Sequence, residues 1–162
     1  MRIPYSMPGE IIMQGNQSGT QFADVTFTNN IDMPFEAHRM IPRIVGLDDA
    51  NNMLATQPSQ EQLQELVRAR INDFGKNVIM TKNPAFFNTL VKGSSERTWE
   101  WADPYYLIRS EGFQVVCDTV TLPVFDGNQI PVAPPTVPLV SLRIEVTFQG
   151  FLLQVAPPSN TR

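Results

Sequence analysis

Apolar and polar positions alternate in short runs along this chain, and the runs read as strands. In residues 22–28, Ala23, Val25 and Phe27 fall on one side and Asp24, Thr26 and Thr28 on the other, the mark of a half-buried strand. A second strand is expected from Phe35 to Val45, with Pro42 placing it at an edge or a bulge because proline cannot donate to a ladder. Thr98–Trp101 and Tyr105–Ile108 read as strand pieces separated by Asp103-Pro104. Phe113, Val115 and Cys117 alternate with Gln114, Val116 and Asp118 in a further strand, which Val120–Phe125 continues or pairs with. The strongest pattern closes the chain. Val140, Leu142, Ile144, Val146 and Phe148 face one way, and Ser141, Arg143, Glu145, Thr147 and Gln149 the other. At Gly150 the parity is expected to flip to Phe151, Leu153 and Val155, as at a bulge or bend.

One segment breaks the alternation. Ser59 and Gln62 fit a capping box, and Leu63, Leu66, Val67 and Ile71 form a helical stripe, so an inserted helix is expected over about 58–72 with Gly75 stopping it. Residues 1–21, punctuated by Pro4, Pro8, Gly9, Gly15 and Gly19, read as an extended arm that carries Ile11 and Ile12 toward a neighbouring subunit. Residues 131–138 read as a polyproline-like connection and 157–162 as an exposed tail. The fold expected is mainly β: one antiparallel β-sandwich over 22–156, jelly-roll-like, with one short helix inserted.

Composition narrows the function. The 162 residues suffice for one domain. The net charge of -4 argues against binding a phosphate backbone. Charged residues are 17%, below the roughly 25% of average domains, so repulsion between copies is weak. No run approaches the ~18 apolar residues of a membrane span, and Met1-Arg2-Ile3-Pro4 does not open a signal peptide. The chain is therefore expected to be made in a cytosol and kept there or released by lysis.

Candidate chemistry is sparse. His38, the single histidine, shares a strand face with Glu36, which would orient it; a Ser or Cys partner is not identifiable. It reads as a surface or interface histidine able to make assembly pH-sensitive. Trp99 and Trp101 lie two apart, on one strand face, and would stack on a sugar; Glu100 and Asp103 resemble a glycosidase pair. The plainer reading is that these tryptophans, with Tyr105 and Tyr106, are core or interface anchors. Asp48, Asp49, Asn51 and Asn52 offer oxygen ligands for calcium but lack the EF-hand glycine and glutamate, and a solvated turn is expected. Cys117 shares the apolar parity and reads as a buried small hydrophobe. A non-enzyme without cofactor or resident metal is expected, its interface formed by Trp99, Trp101, Tyr105, Tyr106, His38, Ile11 and Ile12.

Three segments carry a resemblance: residues 22–45, including Phe-Ala-Asp-Val-Thr-Phe-Thr-Asn-Asn and Pro-Phe-Glu-Ala-His-Arg-Met-Ile-Pro-Arg-Ile; Arg97-Thr-Trp-Glu-Trp-Ala-Asp-Pro-Tyr-Tyr; and the closing strand Leu142–Val155. They resemble jelly-roll structural proteins of bacteriophage virions, namely capsid-decorating or cement proteins and minor capsid proteins. The resemblance implies a virion location after assembly in the bacterial cytoplasm. It also implies homo-oligomers, often trimers, contacts with the major capsid protein or other virion proteins, and no direct nucleic-acid or membrane contact. The rival expectation is a carbohydrate-binding host-attachment module with its tryptophans in an open groove.

Overall fold

The computed structural model describes residues 1–14, 21–48, 50–54, 57–76, 78–81, 83–91, 96–119, 124–125, 131–132 and 141–154. In chain order its elements are β1 (Arg2–Gln14), β2 (Gln21–Thr28), β3 (Phe35–Leu47), α1 (Gln60–Gln64), β4 (Arg68–Asp73), β5 (Val78–Ile79) and β6 (Ala85–Phe86). There follow α2 (Phe87–Leu90), β7 (Trp99–Leu107), β8 (Gly112–Thr119), β9 (Val124–Phe125), β10 (Pro131–Val132) and β11 (Ser141–Leu153).

The pairing is that of one long hairpin rolled up. First pairs with last: β1 with β11, β2 with β8, β3 with β7, β4 with β5, all antiparallel. Rolling then sets β11 beside β3 and β8 beside β4. The result is two facing sheets, β1-β11-β3-β7 and β2-β8-β4-β5, with β6 beside β4 and a small β9-β10 pair apart. This is a jelly-roll sandwich, as the alternation predicted. Its core lies between the sheets, where β11 contributes Leu142, Ile144, Val146 and Phe148 and β8 contributes Phe113, Val115 and Cys117, all fully buried.

Four expectations are corrected. Residues 2–14 are not an arm: β1 pairs along its whole length with β11 and buries Met7, Ile11 and Met13. At Gly9 an added Cβ would lie 2.7 Å from the Phe27 ring, so glycine stands where an apolar residue would reveal the alternation. Met1 and Gln154 exchange both backbone hydrogen bonds, so by antiparallel alternation the even-numbered residues of β1 face the free edge. Pro4 and Pro8 stand at such positions and remove two donors from an edge otherwise open to a stray strand.

The helix is shorter than expected. The Ser59–Gln62 capping box forms, but α1 ends at Gln64 and residues 68–73 are a strand with Ala69, Ile71 and Asp73 buried. Leu63, Val67 and Ile71 satisfy a helical spacing, while 67, 69 and 71 satisfy a strand; β4 wins because β8 offers it a full ladder. Gly75 sits in the turn after β4 and stops no helix. Thr98–Trp101 and Tyr105–Ile108 are not separate pieces either, because one strand, β7, runs through both.

The parity of β11 does not flip. Phe148 and Leu152 both point inward, whereas Phe151 and Leu153 stay on the outer side. The ladder does shift at Gln149/Gly150, and the extra residue is His38 on the partner strand. The inward row of β3 changes there from Phe35 and Ala37 to Met40 and Ile44. A Cβ on Gly150 would overlap the Glu36 carbonyl oxygen, so glycine marks the bulge from across the ladder. The 133–138 part of the proline-rich connection, Asp49, Val155 and the 157–162 tail lie outside the described residues.

Pro42 is tolerated because β7 does not reach it: that pairing ends at Met40↔Trp99. Beyond this point glutamine side chains take the place of a strand. Gln60 both donates to Ile44 O and accepts from Ile44 N, at 2.7 and 3.0 Å, and Gln57 does the same with Gly46, at 2.9 and 2.8 Å. Gln64 donates to Pro42 O at 3.3 Å; because Pro42 has no N–H to return, the Gln64 oxygen accepts from Arg97 instead.

Candidate interaction surfaces

The tryptophans share a face, as their spacing requires, and that face is inward. Trp101 bridges the sheets: its ring stacks on Phe113 of β8 at 5.5 Å and tilts against Phe148 of β11 at 5.9 Å. Trp99 lies 4.9 Å from Trp101, and Phe113 and Phe148 stack at 4.4 Å. Tyr105 joins the same cluster and donates its hydroxyl to Asp73 Oδ2 at 2.6 Å. Trp99, Trp101 and Tyr105 thus pack, half-buried, from β7 against this chain's own core, the first of the two readings the sequence offered for them. The sugar-stacking groove expected of the two tryptophans is absent among the described residues. Glu100 and Asp103 are exposed, and Glu100 accepts from the Thr98 hydroxyl at 3.3 Å.

The remaining candidates scatter. Ile11 is buried in the core, whereas its neighbour Ile12 points outward and is 49% exposed. His38 sits in the bulge with Nε2 2.6 Å from Glu36 Oε1. Glu36 also pairs with Arg2 at 3.1 Å, so a carboxylate only 1% exposed is held between two basic side chains. Asp48 Oδ1 accepts from Ala50 N and Asn52 N at 2.9 and 2.8 Å and so closes the turn that includes Asn51, whose φ is 60°.

The outer sheet faces are laced with polar pairs. Arg43 and Arg143 flank Glu145, and Arg39 reaches Glu96 and Gln149. On the other sheet Asn72 donates to Gln114, which donates to Asp24, while Arg68 reaches Asp118 at 2.6 Å.

One end of the sandwich differs. Met1, Ile3, Phe74, Tyr106 and Ile108 all come to the end where β1 begins and β4 and β7 finish, and they are 37–85% exposed. The other large exposed hydrophobics among the described residues, Ile12, Met53 and Phe86, fall toward the opposite end, beside Arg143, Leu47 and Arg68 respectively. Charge pairs rim the apolar end: Arg109 with Asp32 at 2.6 Å, and Lys76 with Glu111 at 3.5 Å. Beneath it, buried Asp73 accepts from Tyr105 Oη and Lys76 N, and Lys76 Nζ lies over the Tyr105 ring at 4.6 Å. Burial, then the bond to Asp73, raises the Tyr105 hydroxyl well above its ordinary range.

Of the residues expected at an interface, Tyr106 alone belongs to this end. The others come from the N-terminus and from turns far apart in sequence, which only the fold brings together. No protein-family profile, curated protein or solved structure matches the chain.

Proposed function

We propose that this is a non-enzymatic structural protein of a virion, a capsid-decorating, cement or minor capsid subunit, and that its apolar end is where it meets a second copy of itself. The observation that carries the reading is the gathering of Met1, Ile3, Phe74, Tyr106 and Ile108 at one end, ringed by two ion pairs. An apolar centre with a polar, salt-bridged rim is the anatomy of a protein interface. Paired outer faces and the proline-guarded β1 edge turn contact away from the flanks and toward the ends of the sandwich. The jelly-roll scaffold supports the reading by holding these side chains on rigid strand ends; fold alone would not carry it. Low charge acts in the same direction by weakening repulsion between packed copies.

The test is mass by light scattering after size-exclusion chromatography. The native chain is expected to elute as an oligomer, and Ile108→Asp combined with Tyr106→Ser as a folded monomer. A native chain that stays monomeric at about 100 μM, some hundredfold above a micromolar dissociation constant, contradicts the proposal. So does an oligomer unchanged by the double substitution.

A further inference from the structure

The bulge at His38 turns its imidazole onto a carboxylate that water hardly reaches. The Glu36 side chain is 1% exposed, and its Oε1 takes two partners at once: His38 Nε2 at 2.6 Å and Arg2 Nη2 at 3.1 Å. A neutral imidazole facing a carboxylate must donate from that nitrogen, so Nδ1 is left to take a second proton. The His38 side chain is 38% exposed, and that proton comes from solvent.

The surrounding charges decide what the second proton does. On β3 itself, Glu36 is the acidic neighbour, and the Arg39 guanidinium is answered by Glu96. β11 brings only uncharged Gln149, Gly150 and Phe151 to this point. β7 sets Glu100 opposite Arg39 and Tyr106 opposite Glu36, and carries exposed Asp103 between them. β1 brings Arg2. With His38 neutral, Arg2 is the full positive charge that answers Glu36. With His38 protonated, Glu36 has its counter-charge at 2.6 Å, and Arg2 faces a neutralised pair whose nearer member repels it. Its hold then falls from charge against charge to charge against dipole, with the Phe151 ring 5.9 Å away as the remaining contact. Arg2 is the cation free to leave: its side chain is 60% exposed, whereas His38 is seated in the bulge, edge-on to Phe151 at 5.4 Å. Arg2 is flanked by Met1 and Ile3, so the trio of Arg2, Glu36 and His38 stands directly behind the apolar end.

We infer that His38 is a proton switch on that end: on taking a proton it displaces Arg2 from Glu36, loosens residues 1–3 and weakens the contact between copies. The inference rests on the reading of the apolar end given above. An imidazole ordinarily takes its second proton between about pH 7.5 and 5.5, so the contact is made at neutral pH and weakened in mild acid.

Two measurements test it. In the chain carrying Ile108→Asp and Tyr106→Ser, which does not associate, the Arg2 Nε–H and Ile3 methyl resonances are expected to shift in step with the His38 ring as pH falls. Backbone relaxation is expected to show added motion at Arg2 and Ile3 over the same range. In the native chain, the dissociation constant for self-association, from sedimentation equilibrium, is expected to rise about tenfold across that range. His38→Gln keeps a neutral donor for Glu36 and is expected to hold the constant within about twofold. Should that variant fail to fold, Arg2→Gln removes the group that is displaced and is expected to abolish the same dependence. Arg2 and Ile3 resonances indifferent to the His38 titration, or a pH dependence that survives both substitutions, overturn the inference. A native chain monomeric at both pH values, with the Arg2 and Ile3 shifts present, instead overturns the reading of the end and leaves the displacement of Arg2 standing.

Discussion

The two ends of the sandwich solve the same problem in opposite ways. Strand ends expose backbone groups and apolar side chains that a neighbour must cover. At the α1 end the chain covers its own backbone, though Ile12, Met53 and Phe86 stay exposed there: Gln57, Gln60 and Gln64 take the outward backbone groups of Gly46, Ile44 and Pro42, where β7 stops short. At the opposite end Phe74, Tyr106 and Ile108 stand uncovered, although buried Asp73 and the Lys76–Glu111 pair hold the turns beneath them firmly. An end that is ordered yet uncovered is made for contact, because preformed apolar surface loses little conformational freedom when it docks.

The bulge between the ends keeps both in register, and breaking it has the largest expected effect. Gly150→Ala drives a Cβ into the Glu36 carbonyl and is expected to cost about 3 kcal/mol or more, seen as a lower denaturant midpoint. An unchanged midpoint would mean the two strands slide past one another freely. Gln60→Ala attacks the self-covered end alone. It leaves both polar groups of Ile44 unanswered, with an expected loss of about 2 kcal/mol and unchanged self-association.

Cys117 sharpens the comparison through pH. Burial, then the nearby Asp118 charge, pushes its thiol up to about 12 from the ordinary value of 9.0. Between these values the unfolded chain sheds a proton that the folded chain keeps. Stability is then flat below pH 9 and falls above it, by at most about 1.4 kcal/mol per pH unit from this group. Tyr105, shifted in the same direction, adds a further loss once its unfolded hydroxyl begins to titrate near pH 10. Denaturant melts from pH 7 to 10.5 are expected to show the fall, and Cys117→Ala to lessen it. The native thiol is also expected to resist disulfide reagents at pH 8 until the chain unfolds.

What the sequence made legible follows from which face meets water. β2, β8 and β11 each have one apolar and one wet side, so their alternation shows plainly. β1 hides because Gly9 leaves room for Phe27 and because its edge prolines imitate a loop. The Leu63–Ile71 stripe satisfies helix and strand at once, and only pairing with β8 decides. Spacing placed Trp99 and Trp101 on one face correctly but carried no information on which side the core would lie. The glutamine ladder escaped because its partners are backbone atoms. The bulge was signalled by Gly150, yet the residue it displaces, His38, belongs to another strand.

The two-ended account is tested most directly by hydroxyl-radical footprinting of the native chain across a concentration series. Met1, Phe74, Tyr106 and Ile108 are predicted to become protected as the protein is concentrated, while Met53 and Phe86 stay fully labelled. Protection that grows equally at both ends, or at neither, would contradict it.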